Sequence, residues 1–180
     1  MKRSLVRIIN MNFFERFNNK NFSNLYQKHN LISYLIITLI FLLDRISKIK
    51  IIGYQQKNNL IYINDFINLE LIWNTGIGFG LLSSNSSLFY NSITGIICSV
   101  IVVLIYLILR VRFIDKIIYS LIVGGALGNF YDRFVYQAVP DFIDIHYQNF
   151  HWFTFNIADI FITFGIMMLI GIDLIFKKNE

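Results

Sequence analysis

The chain has 180 residues, of which 56% are hydrophobic and only 15% charged; its mean hydropathy is +0.56, more apolar surface than a soluble domain of this length buries. The net charge of +5 does not imply a nucleic-acid partner, because the basic residues flank apolar runs, as the positive-inside rule expects, and none interleave with aromatics. Cys98 is the only cysteine, which excludes an intrachain disulfide.

Residues 1–30 form a basic tail carrying Lys2, Arg3, Arg7, Arg16, Lys20 and Lys28. Within it, Ile8 to Phe17 reads as an amphipathic surface helix with Phe13, Phe14 and Phe17 on one side. A cleaved leader fits poorly: the polar region is too long, and Asp44-Arg45 follows the first apolar stretch where small residues would be needed. The first expected span covers 31–53 and contains Asp44, Arg45, Ser47 and Lys48. Residues 54–87 lie outside the spans. There Ile67 to Asn74 largely alternates apolar with polar, which predicts a strand, and Asn74-Thr75-Gly76-Ile77-Gly78-Phe79-Gly80 reads as a glycine loop that permits unusual backbone angles or close approach of another chain, with a plain flexible turn as the alternative.

The second span covers 88–109 without a charge, and Cys98 within it reads as a small packing residue. Arg110, Arg112, Asp115 and Lys116 make a short polar loop. The third span, 117–133, contains Gly124 and Gly128, a small-xxx-small pair that permits close helix approach. Residues 134–156 form a second outer segment, and the fourth span, 157–176, ends in Lys177-Lys178. The tail, the 110–116 loop and the C-terminus hold most of the Lys and Arg, so both termini are expected in the cytoplasm. The expected fold is therefore all-α and integral to the membrane: a four-transmembrane-helix bundle over 31–178 with a small extracytoplasmic β-strand/loop element.

Polar residues inside such a bundle are candidates for function. At about 1.5 Å per residue, Asp44 lies about 20 Å above the start of its span, Asn129 about 18 Å and Asp159 about 27 Å. All three fall in the outer half of a core roughly 30 Å thick, and Asp141 joins them from the loop between two spans. Two carboxylates in one layer suggest acid–base chemistry. Structural readings stand beside this one. Asp44, Ser47 and Lys48 read as a helix-end cluster whose lysine snorkels, and Asn156 as an N-cap with Asp159 at N3. Asp132-Arg133 reads as an interfacial ion pair, and Asp144, His146 and Asp173 as loop or helix-end residues. His29, His146 and His151 lack metal-ligand spacing, so neither metal nor cofactor is expected. A proton-coupled transporter using Asp44, Asp141 and Asp159 competes with a peptidase, and a scaffold with capped helices is a third reading.

Five ordered motifs carry a resemblance. They are Asp44-Arg45-Ile46-Ser47-Lys48, Asn74 to Gly80, Gly124 to Arg133, Val139-Pro140-Asp141-Phe142-Ile143-Asp144 and Phe155-Asn156-Ile157-Ala158-Asp159. Together they resemble lipoprotein signal peptidase, the type II signal peptidase of bacterial inner membranes, over about residues 31 to 178. Arg45 stands where that family often has Gln, and Ile77-Gly78 where small Ala residues are usual. The resemblance implies a monomeric aspartyl endopeptidase of the inner membrane, with its site near the outer face. It would cleave diacylglyceryl-modified prolipoproteins just before the lipidated cysteine, with membrane lipid as its other partner. The resemblance maps the catalytic pair onto Asp141 and Asp159. It maps substrate-positioning residues onto Asn74, Asn129, Arg133 and Asn156, and a supporting role onto Asp44.

Overall fold

The computed structural model describes residues 27–55, 60–76 and 87–177. Four long helices and a four-stranded antiparallel sheet follow in the order α1 (Lys28–Gln55), β1 (Ile61–Asn64), β2 (Ile67–Asn74), α2 (Ser87–Ile108), α3 (Phe113–Tyr136), β3 (Val139–Tyr147), β4 (Phe150–Phe155) and α4 (Ile157–Lys177). The expected surface helix at 8–17 and the glycines at 78 and 80 lie outside the described residues.

The chain is more β-rich than an all-α reading allows. The alternating segment Ile67 to Asn74 is β2, as its pattern predicts, but residues 139–155 also form a hairpin. Its strands escape a period-two reading because β3 is buried along most of both faces, so apolar and polar residues do not alternate cleanly. The sheet order is β1-β2-β3-β4. Pro140 is tolerated in inner strand β3 because β4 pairs only with Ile143 to Tyr147, leaving Pro140 bonded on one side only. Gln148, in the tight turn of that hairpin, takes a left-handed φ of 52°.

Helix α3 is the hub, packing against α1, α2 and α4. Glycines make this possible. A methyl at Gly124 would press into Ile40 of α1, one at Gly128 would overlap the Asp44 carboxylate, and one at Gly125 would meet the Ala158 carbonyl of α4. The small-residue pattern thus serves two helix contacts, on opposite flanks of α3. Ile101, Ile108 and Val123 anchor an apolar core between α2 and α3, with Leu104, Leu127 and Phe130 packed on it.

Helix α1 is inverted relative to a soluble helix. Its buried residues include Asn30, Ser33, Asp44, Arg45 and Lys48, while Leu31, Leu35, Leu39, Leu42, Leu43, Ile46 and Ile49 are exposed. At the far end of α1, Gln55 joins the bundle to the sheet. Its Nε2 donates to the Leu69 carbonyl at 3.1 Å, and its Oε1 accepts from Leu71 N, so the side chain mimics a neighbouring strand for β2. Tyr90–Ile108 and Phe113–Tyr136 are long and apolar enough to cross a membrane, and α4 carries a shorter apolar stretch at Ile157–Ile172.

The glycine contacts give a contrast that thermal unfolding in detergent can check. Gly128→Val should lower stability by roughly 3 kcal/mol or more, since an overpacked core cannot relax against a buried carboxylate. Gly53→Ala, where nothing lies within 4 Å of the added methyl, should be neutral or stabilising by about 0.5–1 kcal/mol through helix propensity.

Candidate active site

Strand register brings the first acid into place. Ile143 is the first β3 residue opposite β4, pairing with Phe155. Two residues earlier on the same side, Asp141 therefore faces the point where β4 gives way to α4. That point is Asn156. Its Nδ2 donates to Asp141 Oδ1 at 2.6 Å, and its Oδ1 accepts from Asp159 N at 3.1 Å. Asp159 Oδ2 in turn accepts from Asn156 N at 3.2 Å. This is a reciprocal capping box at the start of α4, with an aspartate at N3. One asparagine residue therefore holds both carboxylates, Asp141 by its side chain and Asp159 by its backbone N.

Each carboxylate also has a second donor. Asn74, at the end of β2, donates from Nδ2 to Asp141 Oδ2 at 2.8 Å, while its own Oδ1 accepts from Gly76 N. Asn129 on α3 donates from Nδ2 to Asp159 Oδ1 at 2.8 Å. Both acids are buried, Asp141 at 2% exposure and Asp159 at 9%. Burial, reinforced by the negative charge of Asp159, raises the Asp141 pKa to about 6, against the opposing pull of the Asn74 and Asn156 hydrogen bonds. A carboxyl near neutrality beside a second acid is the arrangement in which a pair shares one proton.

Behind the pair lies a second layer. Asp44 on α1 accepts from Ala158 N at 3.0 Å, so it caps α4 from a different helix. Lys48 donates to Asp44 Oδ2 at 2.8 Å, to Asn129 Oδ1 at 2.8 Å and to Asp132 Oδ2 at 2.7 Å. Arg45 pairs with Asp132 and lies over the Tyr131 ring, 4.8 Å from its centroid. The four charged groups, Asp44, Arg45, Lys48 and Asp132, are all buried and sum to zero.

The structure thus brings Asp44, Asn74, Asn129, Asp141, Asn156 and Asp159 into one connected network. Arg133 borders it, donating to the Gly76 carbonyl at 2.8 Å and to the Asn129 carbonyl at 3.2 Å, and so latches the end of β2 to α3. Three structural readings of the sequence need correction. Lys48 does not snorkel: its side chain is fully buried, because three acceptors satisfy its ammonium inside the bundle. Asp132 does not pair with its neighbour Arg133, which points toward Gly76, but with Lys48 and Arg45 of α1. The i, i+4 spacing of Asp44 and Lys48 was the available sign of a lysine turned inward. Asp144, read as a loop residue, is buried in β3, with His151 Nδ1 at 2.7 Å from its Oδ2 and His146 Nδ1 at 3.6 Å. The side chain of Asp173 lies outside the described residues. Among the described residues no cluster of three or more His, Cys, Asp or Glu has a metal-binding arrangement.

This geometry has relatives. A bacterial membrane enzyme solved by the in meso method superposes with a TM-score of 0.70 at 30% identity, covering 83% of this chain and 91% of that one. A second such structure gives 0.64 at 28% identity, covering 77% and 90%. Lipoprotein signal peptidase from Pelagibacter ubique (strain HTCC1062) is 46% identical over 165 residues, 91% of this chain and 96% of the relative. Lipoprotein signal peptidase from Francisella tularensis subsp. novicida (strain U112) is 39% identical over 154 residues, 82% and 94% of the two chains. The family model described as signal peptidase (SPase) II matches residues 36–176, which include every polar group of the network, and the chain belongs to that peptidase family of bacterial membranes.

Proposed function

We propose that the protein removes signal peptides from diacylglyceryl-modified prolipoproteins, cleaving just before the lipidated cysteine, and that Asp141 and Asp159 are its catalytic pair. The observation that carries the assignment is Asn156, which donates to both buried carboxylates, to Asp141 from its side-chain Nδ2 and to Asp159 from its backbone N. Family membership and this pairing favour hydrolysis over a proton-coupled transporter.

The chemistry follows from the groups present. In the singly protonated pair, the ionised aspartate takes a proton from water as the water oxygen bonds to the scissile carbonyl carbon. The protonated aspartate gives its proton to the carbonyl oxygen. As the tetrahedral species collapses, a proton passes to the leaving nitrogen, the C–N bond breaks, and the pair returns to a single shared proton. Asn74 and Asn156 hold Asp141, and Asn129 and Asn156 hold Asp159. Among the described residues Arg133 Nε has no hydrogen-bond partner, which makes it a candidate donor for a substrate carbonyl or lipid ester oxygen.

The membrane supplies the substrate geometry. We read 31–178 as one membrane unit with four spans, and 1–30 as a cytoplasmic tail. The inverted burial of α1 supports its place in lipid despite its charges: apolar side chains face outward, and Asp44, Arg45 and Lys48 are paired within. The positive charge at the tail, the 110–116 loop and the C-terminus supports a cytoplasmic side for these segments, with the sheet and the pair then at the outer face of the inner membrane. Exposed Tyr62, Trp73, Tyr147 and Trp152 on the sheet suit that interface. Acyl chains of the substrate would lie against the apolar helix surfaces and present the peptide to the pair. All of the network comes from one chain, so a monomer suffices.

Purified wild-type protein should cleave a lipidated prolipoprotein and leave its unlipidated form intact. Asp141→Asn and Asp159→Asn should each lower kcat by about 1,000-fold or more while remaining folded. No cleavage by folded wild type, in lipid as well as detergent, would overturn the proposal.

A stability prediction accompanies this. Because the folded-state pKa of Asp141 lies above its ordinary value, its charge opposes folding fully above about pH 6 and not at all below about pH 4. The penalty is roughly 3 kcal/mol at pH 8, of which an asparagine would recover only part, since its NH2 must face one of two amide donors. Asp141→Asn should therefore melt higher than wild type by about 2–6 °C at pH 8, and this gain should vanish as the pH falls from 6 to 4.

A further inference from the structure

Lys48 touches neither aspartate of the pair, yet it constrains one of them. Its ammonium has three donors and no acceptor, and three acceptors surround it: Asp44 Oδ2, Asn129 Oδ1 and Asp132 Oδ2. An asparagine amide is nearly the same shape either way round, so sterics alone do not fix its orientation. For Asn129 the charges do. Turned over, its NH2 would face the ammonium, and its carbonyl oxygen would face Asp159 Oδ1. Both contacts are repulsive while Asp159 is ionised, and both occur where water cannot screen them.

We infer that Lys48 is a positioning residue for the peptide hydrolysis proposed above: it locks the Asn129 amide so that Nδ2 always donates to Asp159. The lock keeps a donor on each oxygen of Asp159, Asn129 Nδ2 on one and Asn156 N on the other. The same ammonium neutralises Asp44, whose second oxygen holds Ala158 N one residue before the catalytic acid. Lys48 thus reaches Asp159 by a side-chain route and a backbone route. The charged groups around Asp159 are Lys48 and Asp44 from α1, Arg133 from α3 and Asp141 from β3, with Asp132 behind Lys48. The inference rests on the proposed function, because the positioning matters only if Asp159 acts in hydrolysis.

The test uses the purified full chain and a diacylglyceryl-modified prolipoprotein. Wild type, Asp159→Asn, Lys48→Met, Asn129→Ala and the double variant Lys48→Met/Asn129→Ala are assayed across pH. Lys48→Met should lower kcat roughly 10- to 100-fold, as misplacement of a reacting group does, with KM within about twofold of wild type. A freed amide can offer its carbonyl oxygen to Asp159, which only the protonated acid can accept as partner, so the acid limb of the rate profile should move to higher pH. In the Asn129→Ala background the lysine substitution should cost much less in kcat and leave the pH profile unmoved, because the side-chain route is gone and only the backbone route through Asp44 remains. Should Lys48→Met fail to fold, Lys48→Met/Asp132→Asn, which removes one charge of each sign, replaces it in every arm. An equal loss in both backgrounds with an unmoved pH profile would show a purely structural lysine and overturn the inference, leaving the proposed function intact. A wild type that does not cleave would overturn both together.

Discussion

The structure depends on a neutral set of four charges buried between α1 and α3. Asp44, Arg45, Lys48 and Asp132 are each shielded from solvent and each answered by an opposite charge. An isolated charge in such a place is prohibitive, but a closed set of opposite charges in contact is tolerable. Removing one member leaves another uncompensated, at a cost of about 3–5 kcal/mol. The set therefore specifies how α1 and α3 dock, since sliding either helix by one turn would separate the partners. Gly128 enforces the same register from the steric side, because only a bare backbone fits against Asp44.

That register is transmitted to the chemistry. Asp44 ends at the Ala158 amide and Lys48 ends at the Asn129 amide, so two members of the set each hold a group beside Asp159. The sheet performs the corresponding task for Asp141. The β2–β3 register brings Asn74 to it, and the end of β4 brings Asn156. Gln55 fastens β2 to the end of α1, so the sheet and the bundle are tied at two places. The second tie is Arg133, gripping Gly76 from α3. A hydrolytic pair built from a strand and a helix needs such ties, since neither element alone fixes the relation between its acids.

The site also has a thermodynamic cost. Asp141 is buried beside another acid, and its raised pKa is a measure of that discomfort. Amide donors from Asn74 and Asn156 offset part of it without adding a cation that would hold the acid ionised and deprive the pair of its proton. Positive charge is kept one layer back, on Lys48 and Arg133. Separating the neutral donors from the cations leaves one carboxyl able to carry a proton near neutral pH.

Local pattern in the sequence determined much of this. Four long apolar runs gave the helices, alternation gave β2, Gly124 and Gly128 gave close packing, and Asn156 with Asp159 three residues on gave the capping box. These features depend on neighbours within a few positions, where spacing maps directly onto geometry. The β3–β4 hairpin was not legible, because β3 is buried along most of both faces and β4 is exposed along most of its length, so neither strand carries the alternation that marks burial on one face. Nor was the inward course of Lys48, or the choice of Asp132 for α1 rather than for Arg133. A lysine near a helix end reads as snorkelling unless its acceptors are known, and those acceptors lie more than 80 positions away in sequence. Only packing of α1 against α3 decides that a buried ammonium is satisfied, and so decides what it can orient.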